Sequence, residues 1–189
     1  MPREIEAKIR VPSHQPRLER LARLDAVLVG DLLQRDTFFD RPDGSLRAAD
    51  SALRLRSESD RQRGAAVHRL AFKGPRDPRS AYKSRVELEF DVGDPQLARQ
   101  FLETLGFHVT LAFEKKRTLY RLRECTVCLD EVPVLGQFVE IEGPAEAAVT
   151  EVRRLLGLVD APLTAESYAV LLDECLARSS QTGRREWFF

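Results

Sequence analysis

The sequence predicts an α+β fold in which a mostly antiparallel sheet carries helices on its apolar faces. Three features point there. Short segments alternate charged and apolar residues with a period of two, capped segments of helical spacing lie between them, and no repeat, low-complexity tract or long linker divides the 189 residues. Residues 1–178 read as a single domain and 179–189 as a C-terminal tail.

The first strand sets the pattern: Glu4, Glu6, Lys8 and Arg10 share one face, and Ile5, Ala7, Ile9 and Val11 the other. Further strands follow it. Arg54 and Arg56 oppose Leu53 and Leu55, Lys73 opposes Phe72, and Arg85, Glu87, Glu89 and Asp91 oppose Val86, Leu88, Phe90 and Val92. Lys115 and Arg117 share a face, as do Glu140 and Glu142, which oppose Val139 and Ile141. Two more strands are expected near residues 33–40 and 124–131.

Four helices are expected between them. Gln15 to Val27 places Leu18, Leu21, Leu24 and Leu28 at helical spacing. Asp94-Pro95 opens a second helix with an N-cap and a proline in its first turn, and Gly106 ends it. A third spans about 145–156 and stops at Gly157. The fourth starts at Thr164 as N-cap and carries Tyr168, Leu171, Leu172 and Leu176 on its apolar side.

Composition narrows the function classes. The chain is 43% hydrophobic and 32% charged with a net charge of zero, so no bulk field favours nucleic acid or an anionic membrane as partner. No apolar run approaches the roughly 20 residues that span a bilayer, and Met1-Pro2-Arg3-Glu4 leads directly into a charged strand. A cytoplasmic protein is expected. Three cysteines argue against a disulfide framework, and Cys125 and Cys128, three apart on a strand, point to opposite faces and so do not form a metal site. They read as buried neutral thiols.

The charged faces are the informative feature. A wet sheet face normally mixes signs, whereas here like charges recur at i, i+2 in Glu4/Glu6, Glu87/Glu89, Glu140/Glu142, Arg54/Arg56 and Lys115/Arg117. Like-charged side chains two apart on a strand repel one another, so external counterions are implied. Paired carboxylates suit a hard divalent cation, which takes oxygen ligands and completes its shell with water and phosphate oxygens. Clustered Arg and Lys suit polyphosphate, Arg as a bidentate fork and Lys as a point charge. Strands closed with these faces inward would bring both sets into one lumen.

The motifs also resemble a known family. Glu4-Ile5-Glu6-Ala7-Lys8 resembles the ExExK signature of the CYTH superfamily, the triphosphate tunnel metalloenzymes. Its order continues through Thr37-Phe38-Phe39-Asp40, Ala52-Leu53-Arg54-Leu55-Arg56, Phe72-Lys73-Gly74-Pro75 and Ser84-Arg85-Val86-Glu87-Leu88-Glu89. After the second helix come Glu114-Lys115-Lys116-Arg117, Leu129-Asp130-Glu131-Val132, Gln137-Phe138-Val139-Glu140-Ile141-Glu142 and Ser167-Tyr168, so the resemblance covers about residues 3–176.

The resemblance implies a closed antiparallel eight-stranded β-barrel with helices packed outside. It implies Mg²⁺ or Mn²⁺ at Glu4, Glu6, Glu140 and Glu142, with Glu87, Glu89 and Asp130 as supporting lumen acids. Lys8, Arg54, Arg56, Lys73, Arg85, Lys115 and Arg117 would hold the phosphates, and Lys8, Lys73 and Arg117 would act in catalysis. Lys116 has the wrong strand parity for the lumen, and Arg10, Arg69, Asp91 and Arg121 read as surface ion-pair residues.

The substrate implied is ATP or another triphosphate. The chain looks most like the class IV adenylyl cyclase branch, with inorganic triphosphatase, thiamine triphosphatase and a non-catalytic polyphosphate or nucleotide sensor as alternatives. Thiamine recognition is disfavoured because the only tryptophan is Trp187. No adenine platform stands out, since Phe38, Phe39 and Phe72 read as core. Residues 74–80 are expected as a mobile lid and 61–66 as a strand connection. Trp187-Phe188-Phe189 is expected as a strap over the core, a homodimer contact being left open.

Overall fold

The computed structural model describes residues 5–61, 64, 66–76, 85–178 and 186–189. Glu4 therefore lies outside the described residues, as do most of the expected lid (77–80), much of the 61–66 connection and the start of the tail (179–185). In the order of the chain come β1 (Ile5–Val11), α1 (Gln15–Arg23), β2 (Val27–Asp40), α2 (Ser45–Ala48), β3 (Ala52–Asp60), β4 (Ala66–Arg76) and β5 (Arg85–Asp91). After these come α3 (Pro95–Thr104), β6 (His108–Leu122), β7 (Cys125–Val132), β8 (Gly136–Gly143), α4 (Glu146–Leu155), α5 (Tyr168–Arg178) and β9 (Glu186–Trp187).

Eight strands form one curled antiparallel sheet in the order β1-β8-β7-β6-β2-β3-β4-β5, and β9 adds a short parallel pair to β6 at Ala112 and Phe113. The expected closed barrel is an open half-barrel, because no ladder joins β1 to β5 among the described residues. The passage leading into α5 competes for the free edge of β1: the Thr164 amide donates to the Lys8 carbonyl at 2.8 Å. A backbone group satisfied in this way is not available to another strand.

The outer face of β1, β8 and β7 is apolar, as the alternation requires. Ile9, Val127, Val139 and Ile141 are fully buried there against Leu21 of α1, Val149 and Val152 of α4, and Leu156 just after it. Gly143 permits that approach, since an added Cβ would lie 2.7 Å from the Cys125 sulfur and 3.1 Å from Val149. A second outer cluster joins Phe39, Leu53 and Leu55 to Leu102 of α3. Asp94 caps α3 as expected, accepting from the Gln96 and Leu97 amides at 2.8 and 3.1 Å.

Two helix boundaries differ from the sequence reading. α1 stops at Arg23 because Asp25 adopts a left-handed φ of 51°, and Val27 and Leu28 already belong to β2. α5 starts at Tyr168, capped by the Ser167 hydroxyl accepting from the Val170 amide at 3.3 Å, while Thr164 is spent on the edge of β1.

The position of α5 also corrects the expectation that every helix packs outside. Tyr168 and Leu172 bury themselves against Phe113 and Phe138, which share strand faces with Lys115 and Asp130, so α5 fills one end of the concave side. Trp187, 7% exposed, joins the same cluster, which makes the end of the tail a strap over the core as expected. No helix among the described residues is long and apolar enough to cross a membrane.

Candidate triphosphate and metal site

The concave side holds a cavity of about 610 Å³. Register explains why its walls are charged: Glu6 faces Glu142, Lys8 faces Glu140, and Arg117 faces Asp130 across adjacent strands, while Asp36 lies between Arg56 on β3 and Phe113 on β6. A period of two then aligns the remaining charged side chains on the same face.

On the β1-β8-β7 wall the Lys8 ammonium lies 3.0 Å from Glu6 and 3.1 Å from Glu140. Burial works against its charge, but Glu140 and Glu6 outweigh burial and hold its pKa well above the ordinary lysine value. Arg117 forks onto Asp130 at 2.7 and 2.5 Å, ion-pairs with Glu140, and reaches Glu142 at 3.6 Å. Asp130 is fully buried; burial alone would raise its pKa, yet Arg117 and Lys115 hold it below the usual carboxylate value.

The floor is made by β6, β2 and β3. Asp36, 2% exposed, takes a bidentate pair from Arg56, both bonds 2.7 Å, and lies 3.8 Å from Arg54. Lys115 is buried 3.6 Å from Asp130. Desolvation, then the neighbouring Arg117 charge, brings its pKa down to about 8. On the far wall Lys73 donates to Glu87 at 2.8 Å, Arg54 lies 3.4 Å from Glu89, and Arg85 lies 3.9 Å from Asp50.

The structure thus brings Glu6, Lys8, Arg54, Arg56, Lys73, Arg85, Glu87, Glu89, Lys115, Arg117, Glu140 and Glu142 to one cavity, with Asp130 buried behind Arg117. Arg69, read as a surface residue, also lines it, ion-paired to Asp91 at 3.2 Å and Glu89 at 3.7 Å. Arg10 instead donates to the Leu135 carbonyl at 2.7 Å, beside the ring of Phe138. Lys116 stays off the cavity, its ammonium 3.8 Å from the Phe189 ring centroid. Cys125 and Cys128 are buried and unbridged, and no group of three or more His, Cys, Asp or Glu among the described residues converges as a metal site.

Besides Arg69, three cavity residues escape the sequence reading. Asp36 was hidden in the mixed run Gln34-Arg35-Asp36-Thr37, and only its even spacing from Gln34 signals the inner face. Tyr168 was read as the apolar side of a helix, yet its hydroxyl donates to Asp130 at 2.9 Å and its ring lies under the ammoniums of Lys8 (4.5 Å) and Lys115 (5.1 Å). Phe38, expected in the core, packs against the buried cluster around Phe113 and also lines the cavity, while Phe39 is buried on the outer side and Phe72 is 37% exposed.

A model of the CYTH domain matches residues 2–161. The chain belongs to the CYTH family. This CYTH chain is 28% identical over 188 residues to adenylate cyclase CyaB of Aeromonas hydrophila, covering 94% of its own length and 93% of that protein. It superimposes on the PH1819 protein of Pyrococcus horikoshii OT3 with a TM-score of 0.78 and 27% identity, covering 91% of this chain and 99% of that one. The Hippeastrum protein HpAC1, which has a dominant triphosphatase activity, shares the fold at a TM-score of 0.70 and 20% identity, covering 93% of this chain and 96% of that one.

Proposed function

We propose that this CYTH protein is a metal-dependent enzyme that grips a triphosphate in its concave cavity and converts ATP to cyclic AMP and pyrophosphate. The observation that supports the reading best is the charge inventory: eight basic and six acidic side chains among the described residues line one cavity, with Asp130 behind them. A triphosphate carries roughly −4 at neutral pH, from its bridging phosphates and a nearly doubly ionised terminal one. Basic residues alone leave that charge under-compensated, because most of them are already paired with acids. A divalent cation supplies the balance.

The donor chemistry fits such a cation. Glu6 and Glu142 are direct cross-strand partners, and like charges placed opposite one another are unfavourable without a counterion. Two carboxylates with phosphate and water oxygens make a common shell for Mg²⁺ or Mn²⁺. When bound, the ion would supply charge compensation on the phosphates and acidify an oxygen it contacts. Glu6 and Glu142 would hold it, with Glu140, engaged by Lys8 and Arg117, beside them.

The protein side chains do the rest. Arg54, Arg56, Arg85, Lys73, Lys115 and Arg117 orient the phosphates and exclude water from around them. In cyclisation the ribose 3′-oxygen bonds to the α-phosphorus, the bond from that phosphorus to the oxygen bridging it to the β-phosphorus breaks so that pyrophosphate leaves, and the hydroxyl proton passes to solvent water. Lys8, Lys73 and Arg117 are the cations assigned to the charge that grows on the departing pyrophosphate. Hydrolysis needs the same cage with a water in place of the ribose oxygen, aimed at the terminal phosphorus, and the activity of HpAC1 makes this the competing reading.

Product analysis decides. Incubation with ATP, and separately with tripolyphosphate, in Mg²⁺ and in Mn²⁺ should yield cyclic AMP and pyrophosphate from ATP. Orthophosphate would place the chain among the hydrolases, and tight binding without any product would make it a sensor.

A further inference from the structure

One part of the cavity wall is not charged. Phe38 lies on the concave face of β2, two residues from Asp36 and directly across the ladder from Arg54. Its ring is backed by Phe113, 1% exposed, with centroids 6.0 Å apart and planes within 12°. Phe113 is itself locked in the buried cluster with Phe138, Tyr168 and Trp187, so Phe38 cannot tilt away from the cavity without disturbing that cluster. Ala52 and Ala169 also line the cavity, and their short side chains take up little of it.

A plain polyphosphate has no group that could use an aromatic face beside a phosphate grip. We propose that Phe38 is the stacking platform for the base of a nucleoside triphosphate, with Arg54, its cross-strand neighbour, marking where the phosphate chain begins. The proposal rests on the ATP reading above and deepens it by naming the residue that takes the base. Cross-strand neighbours lie about 5 Å apart, so the two subsites adjoin, separated by little more than a ribose. Stacking tolerates any base because each has a π-face, so ATP and GTP should both gain from it. Phe38 packs one side on the buried cluster and is half-buried where it lines the cavity, whereas Phe39, 2% exposed on the opposite side of the sheet, is wholly core.

The test compares binding of ATP, GTP and tripolyphosphate to the full chain at fixed Mg²⁺, for wild type, Phe38→Leu and Phe38→Tyr. Loss of one stacked base typically weakens binding roughly tenfold or more. Phe38→Leu should therefore lose about that factor for both nucleotides and nothing for tripolyphosphate, while Phe38→Tyr, which keeps the aromatic face, stays near wild type. Trp187, the only tryptophan and a member of the adjoining cluster, reports by its fluorescence whether each variant is folded. If Phe38→Leu proves unfolded, the Phe38→Tyr variant and the wild-type preference for ATP over tripolyphosphate carry the test. Equal losses for all three ligands, no loss for the nucleotides, or a wild type that binds tripolyphosphate but not ATP would overturn the platform and leave the phosphate grip standing. A wild type that binds none of the three would overturn the triphosphate reading itself.

Discussion

The Tyr168 hydroxyl donates a 2.9 Å hydrogen bond to Asp130, tying the first turn of α5 to the acid that holds Arg117. The helix that fills one end of the half-barrel is therefore part of the same polar network as the phosphate-facing side chains. Removing the hydroxyl in Tyr168→Phe costs a hydrogen bond to a buried carboxylate but keeps the ring beneath Lys8 and Lys115. The expected loss is about 1.5–3 kcal/mol of stability, read by urea denaturation, since bonds to charged groups are worth more than neutral ones. Tyr168→Leu also removes the ring, and should lose more stability and raise the KM for the triphosphate, which Tyr168→Phe should change little.

Asp36 holds Arg56 through two 2.7 Å bonds and also faces Arg54 at 3.8 Å. In Asp36→Asn these guanidiniums lose that buried counterion, which typically costs about 3–5 kcal/mol when one partner of a buried pair is removed. A bound polyanion can replace the missing charge. Thermal melts should therefore show a much lower Tm for the variant and a larger rise on adding tripolyphosphate than wild type shows. An equal rise in both would mean that the anion does not approach Arg54 and Arg56.

Much of this site was legible in the sequence because its signal is local. Glu140/Glu142 or Arg54/Arg56 announce a shared face by spacing alone, whatever strand lies beside them. Phe38 and Phe39 were not separable in that way: both are aromatic, either could face the core, and the β2-β6 register shifts between them. Closure of the barrel was illegible for a different reason. What meets the free edge of β1 is Thr164, which hydrogen-bonds to Lys8 from 156 positions away and belongs to no strand. Tyr168 has the helical spacing of a core residue and is one, but the core it enters lies inside the curl of the sheet. Periodicity reports which residues share a face, and tertiary packing decides what that face meets.

Lys115 predicts a pH dependence. Its pKa of about 8 in the folded protein lies below the ordinary 10.5, so between these values the unfolded chain binds more protons. This group therefore makes stability rise with pH from about 8 to 10.5, and its full penalty is present below 8. A polyanion prefers the charged form, so binding above pH 8 should draw in close to one proton per triphosphate, and affinity should fall with rising pH. Calorimetry at pH 8.5–9 in buffers of different ionisation enthalpy measures that uptake directly. In Lys115→Met the uptake should vanish, with weaker binding at pH 7; unchanged uptake would assign the proton to another group.

The facing pair Glu6 and Glu142 separates metal binding from phosphate binding. Both lie beside cations, Glu6 at 3.0 Å from Lys8 and Glu142 at 3.6 Å from Arg117, so neutralising either acid leaves the basic grip in place and relieves a like-charge repulsion. In Glu6→Gln and in Glu142→Gln, tripolyphosphate binding without divalent ions should be unchanged or tighter. The Mg²⁺ concentration for half-maximal turnover should rise by an order of magnitude or more, because an amide oxygen is a weaker ligand than a carboxylate for a hard cation. Chelation should abolish turnover by wild type while leaving tripolyphosphate bound. Metal dependence unaltered by either substitution would move the ion to other acids of the cavity, with Glu87 and Glu89 next to be changed.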